Sequence, residues 1–191
     1  MRNKKLKLKK LILSYVDPSA WRNKAQIEKL DEKGWFERRR KILERDNYTC
    51  QYCGYRAEKF QIVHHIDGNP KNNKENNLMT ICQMCNLIEH SGQGCVVNGI
   101  VDLYRESNYN QNDIIIITRE LRDQGYHDEK IINKLGLKRK VSFKMDKKYL
   151  AKLFGFVTDR ASKESNDMYD RWKIFHINNI RSERGKNQLT L

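Results

Sequence analysis

The chain has 191 residues, a formal net charge of +14 and only 38% hydrophobic residues, so it holds one domain or two small ones, with small cores and long exposed helices. No run of about 18 apolar residues occurs, which excludes a membrane-spanning helix, and the apolar piece 11–13 is too short for a secretory signal core. A pI near 9.6 suits a polyanion better than a lipid surface, because no helix pairs a basic face with a strongly apolar one. The expected compartment is therefore the cytoplasm, where thiols stay reduced and paired cysteines hold metal rather than disulfides.

Residues 1–16 carry Arg2, Lys4, Lys5, Lys7, Lys9 and Lys10 without one acid, interleaved with Leu6, Leu8, Leu11, Ile12 and Leu13. This is either an arm lying along phosphates or a solvated end. Asp17-Pro18 breaks the segment, Ser19 caps a helix over 20–33, and Gly34 stops it. A second helix is expected over 35–46, with Trp35, Phe36, Ile42 and Leu43 on one stripe. Arg38, Arg39 and Arg40 surround that stripe as candidate phosphate contacts, or simply as a solvated face.

Residues 47–54 form a Cys-x-x-Cys knuckle, Cys50 and Cys53, closed by Gly54. Residues 60–66 alternate as a strand that carries His64 and His65 near its end. Asp67-Gly68-Asn69-Pro70 reads as a turn, and an Asn-rich loop leads to a short strand over 78–81. A second knuckle, Cys82 and Cys85, opens a helix over 86–91 that ends at Gly92 or Gly94. Four thiolates in two close pairs suit a tetrahedral, closed and therefore structural Zn2+ site. Cys95 is left as a free thiol.

Beyond Cys95 a mainly helical region is expected. One helix, capped by Asp113, runs to Gln124, and a second spans 128–135 and ends at Gly136. With Lys138, Arg139 and Lys140 following, the pair has the outline of a helix-turn-helix or of a plain helical hairpin. A short strand over 141–145, a helix from an Asp146 cap through Phe154, a helix over 166–181 and ten disordered last residues complete the chain.

The bracketed histidines suggest chemistry. Hydrolysis of a phosphodiester needs an activated water, charge relief and help for the leaving oxygen. His65 can take a proton from water, and His64, on the opposite strand face, cannot share that role. Asn86 and His90 lie four apart on one helix face, so they and one of the strand histidines could meet around a divalent cation.

Residues from about 35 to 91 resemble the HNH (ββα-metal) endonuclease family in its four-cysteine form. The stretches that carry the resemblance are ERDNYTCQYCG, VHHID, the NNL before the second strand and CQMCN. It implies an α+β fold: a small zinc-stapled ββα-metal core (35–94) flanked by mostly helical segments, a basic arm and helix (1–34) and a C-terminal region (95–191). It implies that His65 is the general base, that His64, Asn86 and His90 bind the catalytic ion, and that Asn77 braces the loop that aims the base. The last family letter is most often His. Here it is Asn86, a neutral oxygen donor that suits Mg2+ or Mn2+ better than Zn2+. The implied activity is one-metal hydrolysis of DNA, with double-stranded DNA as partner. The competing expectations are a zinc-ribbon binder without catalysis and a subunit targeted by a partner protein or RNA; a homodimer is also compatible.

Overall fold

A computed structural model describes residues 7–16 and 34–161. The helices expected at 20–33 and 166–181 and the disordered last ten residues lie outside the described residues. Helix α1 (Trp35–Arg45) precedes the first knuckle. Strands β1 (Ile62–His65) and β2 (Leu78–Ile81) pair antiparallel, with Ile62 opposite Ile81 and His65 opposite Leu78. Helix α2 (Gln83–Glu89) follows directly, so the second knuckle occupies its first turn.

The hairpin has two buried faces because both strands are followed or preceded by a helix. Val63 and Leu78 meet Ile42 and Leu43 of α1, while Met79 and Ile81 join α2 residues Leu87 and Ile88. Arg45 locks α1 to the hairpin: it donates to the carbonyls of Glu75 and Leu78, both at 2.8 Å, and pairs with Asp46. Asp46 in turn accepts from the Thr80 amide.

The described part of the region beyond Cys95 holds a small sheet beside its helices, where one short strand is expected from sequence. It contains a three-stranded antiparallel sheet in the order β4-β3-β5, formed by β3 (Val101–Glu106), β4 (Lys138–Val141) and β5 (Phe154–Val157). Helices α3 (Gln111–Asp123), α4 (Asp128–Leu135) and the one-turn α5 (Lys147–Leu150) pack around it. Ile114, Ile131, Leu135, Tyr104 and Phe156 form its own core. In β3 the charged residue Asp102 is almost buried, and it is tolerated because Lys140 and Arg160 pair with it. That compensation comes from 38 and 58 residues away, where no local pattern can announce it.

Four further differences are local. Asn110 caps α3, accepting from the Asp113 amide at 3.1 Å, and Asp113 sits inside the first turn, where its carboxylate accepts back from Asn110. Lys138, Arg139 and Lys140 lie on β4, so no second helix presents them as in a helix-turn-helix. The strand expected over 141–145 begins three residues earlier, and the helix capped by Asp146 ends at Leu150 because the chain turns into β5.

Residues 7–16 are neither a free arm nor a frayed end. Leu11 and Leu13 are buried in one core with the four cysteines, Ile88, Leu103, Ile115 and Val157. Asn112 ties this segment down: it donates to the carbonyls of Lys9 and Tyr52 and accepts from the Leu11 amide. Gly155 permits the close approach of β5 to α2, since a Cβ there would stand 2.6 Å from the Ile88 side chain. One hydrophobic core thus joins residues of the N-terminal segment, the hairpin unit and the C-terminal sheet.

Candidate active site and metal centres

Helix α2 carries two sites, one at each end. At its start, Cys82 and Cys85 face Cys50 and Cys53 from the first knuckle, which is shaped by Gly54 at φ +75° and by a Gly54 amide bond to the Cys50 carbonyl. All four thiols are buried, and their sulfurs lie within 4.8 Å of one another. A Zn–S length of about 2.3 Å puts tetrahedral sulfurs about 3.8 Å apart; the Cys53 and Cys82 sulfurs are 3.7 Å apart. The donor set and spacing therefore fit one Zn2+ with no position left for a substrate. The Arg119 guanidinium donates to the Cys82 sulfur at 3.4 Å while lying 3.7 Å from the centre of the Tyr55 ring, which places a positive charge beside the thiolates.

At the other end of α2, the His90 ring meets the His64 ring, with centroids 5.2 Å apart and planes at 64°. Burial lowers the His64 pKa from 6.5 to about 3, helped by the neighbouring His90 and His65. His90 is hemmed in by protein while partly open to solvent, and burial lowers its pKa to about 4. Both imidazoles are neutral at pH 7, the form that offers a lone pair to a cation. Asn86 stands one turn before His90 on the same helix and is partly exposed. The chain thus brings His64, rather than His65, to the helix histidine.

His65 faces the other way, as the two-residue period of a strand requires. Its ring stacks on Trp35, 5.7 Å between centroids and 8° between planes. Its Nε2 is 2.8 Å from Asn73 Oδ1. With that oxygen as acceptor, Nε2 carries the ring hydrogen and Nδ1 the basic lone pair.

Asn77 closes the loop that leaves β1. Its Oδ1 accepts from the Asp67 amide at 3.1 Å, and its Nδ2 donates to Asp67 Oδ1 and to the Asn72 carbonyl, both at 2.9 Å. Its own carbonyl accepts from the Ile66 amide. Hydrogen bonds from Asn72 and then Asn77 hold the Asp67 carboxyl at a pKa of about 2.

A cleft of about 500 Å³ opens beside His64 and His90. Its wall includes Ser14 and Tyr15 of the N-terminal segment, Asp67, Glu89, and Lys147 from α5. Burial raises the Glu89 pKa, against the pull of the Tyr52 hydroxyl that donates to it at 2.5 Å.

The basic residues singled out from sequence are largely engaged within the protein. Arg39 donates to the Gln61 carbonyl at 2.8 Å, and Arg40 pairs with Glu44. Arg38 lies partly exposed in the first turn of α1. Arg139 pairs with Glu106, Lys140 with Asp102, and Lys138 stands opposite Glu106 in the sheet. Sequence reasoning missed Asn73, Asp67 and Lys147. The run of asparagines over 71–77 was the available signal for the first, and none marked Lys147.

Comparison with known proteins places a family on the same stretch. Residues 50–92 match the HNH endonuclease family. A 76-residue stretch is 41% identical to the Type 4 apparatus protein DotN of Legionella pneumophila subsp. pneumophila, covering 40% of this chain and 33% of that protein. The chain thus spans about a third of the length of the curated relative it matches. Residues 50–92 therefore carry an HNH endonuclease domain whose four cysteines gather as a possible zinc site.

Proposed function

We propose that the chain is an endonuclease that nicks or cuts duplex DNA, using Mg2+ or Mn2+ held by His64, Asn86 and His90. The observation that carries this reading is the meeting of two neutral imidazoles on a polar cleft, at the opposite end of α2 from the cysteines. Two imidazole nitrogens and one amide oxygen form a neutral donor set, to which substrate phosphate adds the negative charge. When bound, the ion supplies charge relief to the phosphate and to the departing 3′ oxygen. His65 takes the proton of the attacking water, and the products are a 5′ phosphate and a 3′ hydroxyl. Asn73 fixes the tautomer, Trp35 fixes the ring plane, and Asn77 braces the turn that follows. Because His64 and His65 face opposite sides of one strand end, the scissile phosphate would straddle the tip of β1.

Among the described residues no helix is long and apolar enough to cross a membrane. The DotN relative favours a second reading: a subunit of a larger protein assembly, with a partner protein or RNA choosing the target and hydrolysis absent.

The deciding experiment is cleavage of supercoiled plasmid, linear duplex, single strand and RNA over a Mg2+, Mn2+ and Zn2+ series. We expect divalent-dependent nicking of duplex DNA that falls about 10²- to 10⁴-fold in His65→Ala. A wild type as inert as that variant would hand the function to the second reading.

A further inference from the structure

Several basic side chains are paired with acids of the protein itself. Asp102 takes both Lys140 and Arg160, Glu106 takes Arg139, Asp128 takes Arg122, and Asp46 takes Arg45. Lys144 and Lys147 differ. Both are exposed, and among the described residues neither makes an ion pair; each instead faces an aromatic ring. The Lys147 ammonium lies 5.8 Å from the centre of the Tyr15 ring, and that of Lys144 lies 5.4 Å from the Tyr149 ring. The Arg105 guanidinium is 5.9 Å from the same Tyr149 ring.

These rings are themselves held in place. The Tyr15 hydroxyl donates to the Met145 carbonyl at 3.2 Å, and its ring meets Phe143 edge-on. The Tyr149 hydroxyl donates to the Ser142 carbonyl at 3.0 Å. Ring faces orient an ammonium without neutralising it, so the charge is left for a ligand. Lys147 also lines the cleft that holds His64 and His90. The two acids of that wall are hydrogen-bonded elsewhere, Asp67 to Asn72 and Asn77 and Glu89 to the Tyr52 hydroxyl, and among the described residues neither pairs with Lys147.

We infer that Lys147 contacts a backbone phosphate of the nucleic acid beside the His64–His90 pair, with Lys144 and Arg105 continuing the track away from it. This rests on the nucleic-acid reading above and adds to it a surface that lies outside the HNH domain. A phosphodiester chain is favoured over an acidic polypeptide because Lys147 stands on the wall of the cleft whose two imidazoles the nucleic-acid reading gives to phosphate chemistry. The N-terminal segment takes part by carrying Tyr15, which links the burial of Leu11 and Leu13 to the site.

The test is binding of a fluorescein-labelled 20-base-pair duplex by the zinc-loaded full chain, with no other divalent ion added, across a salt series. Lys147→Ala is expected to weaken binding severalfold and to lower the slope of log Kd against log salt by about 1. Lys147→Glu should weaken it further, and Lys147→Arg should restore it. Unchanged affinity and slope in Lys147→Ala, or no duplex binding by the wild type, would overturn the assignment. Displacement of the duplex by polyglutamate as readily as by unlabelled DNA would also overturn it, giving the surface to an acidic polypeptide. Plasmid cleavage run in parallel separates the two proposals. Lys147-dependent binding without cleavage removes the nuclease and keeps the track; cleavage indifferent to Lys147 does the reverse.

Discussion

The two ends of helix α2 share a backbone and differ in everything else. The Cys85 end is sealed: four buried sulfurs with a guanidinium beside them. The His90 end is open, with two neutral imidazoles, an amide one turn away and a polar cleft formed by three parts of the chain. A closed set of soft ligands can only hold the fold together, whereas an open set of harder ligands leaves positions for water and substrate. One short helix can serve both because its first turn belongs to the four-cysteine cluster and its last is held by packing of Ile88 against Gly155 and Leu13.

The comparison can be broken most severely at the sealed end. Cys85→Ser, or removal of zinc by a chelator, is expected to abolish cooperative folding, since structural zinc binding is worth about 10–16 kcal/mol in small domains. Circular dichroism with zinc analysis checks this. A folded, zinc-free Cys85→Ser protein would show that the sulfurs do not hold the core.

A smaller effect is expected at the loop that leads into the open end. Asn77→Ala removes two bonds to Asp67 and one to Asn72, at a cost of about 1–3 kcal/mol. Thermal unfolding should register that loss, and the loop amides should exchange faster, with zinc retained. Unaltered exchange at Asp67 would mean that the asparagine is not the brace.

A third effect is in acid. The folded pKa values of His64 and His90, about 3 and about 4, lie below the ordinary 6.5. The unfolded chain therefore binds more protons below pH 6.5, and stability is lost as pH falls from about 6.5 through those folded values. Imidazole proton resonances of the two rings should not move between pH 7.5 and about 5; titration near 6.5 would show both rings to be solvated.

The sequence made the sealed end legible because its information is local: two residues between paired cysteines dictate a knuckle whatever surrounds it. The His64–His90 approach was half legible. The i, i+4 relation of Asn86 and His90 and the alternation of His64 and His65 follow from period alone, but which strand histidine meets the helix depends on the packing of both faces of the hairpin. The C-terminal sheet was not legible. β3 breaks its apolar run with Asp102 and β5 is four residues with a central glycine, so both exist through partners far along the chain. For the same reason Leu11 and Leu13, set among lysines, looked like part of an exposed arm until Asn112 and the core claimed them.

The central claim is that the open end of α2 reacts and the sealed end only folds. The most direct measurement is Mg2+-dependent plasmid cleavage by a His90→Ala protein whose zinc content and melting temperature equal those of the wild type. Cleavage should fall at least tenfold, and raised Mg2+ should recover part of it. Undiminished cleavage at every Mg2+ concentration would contradict the claim.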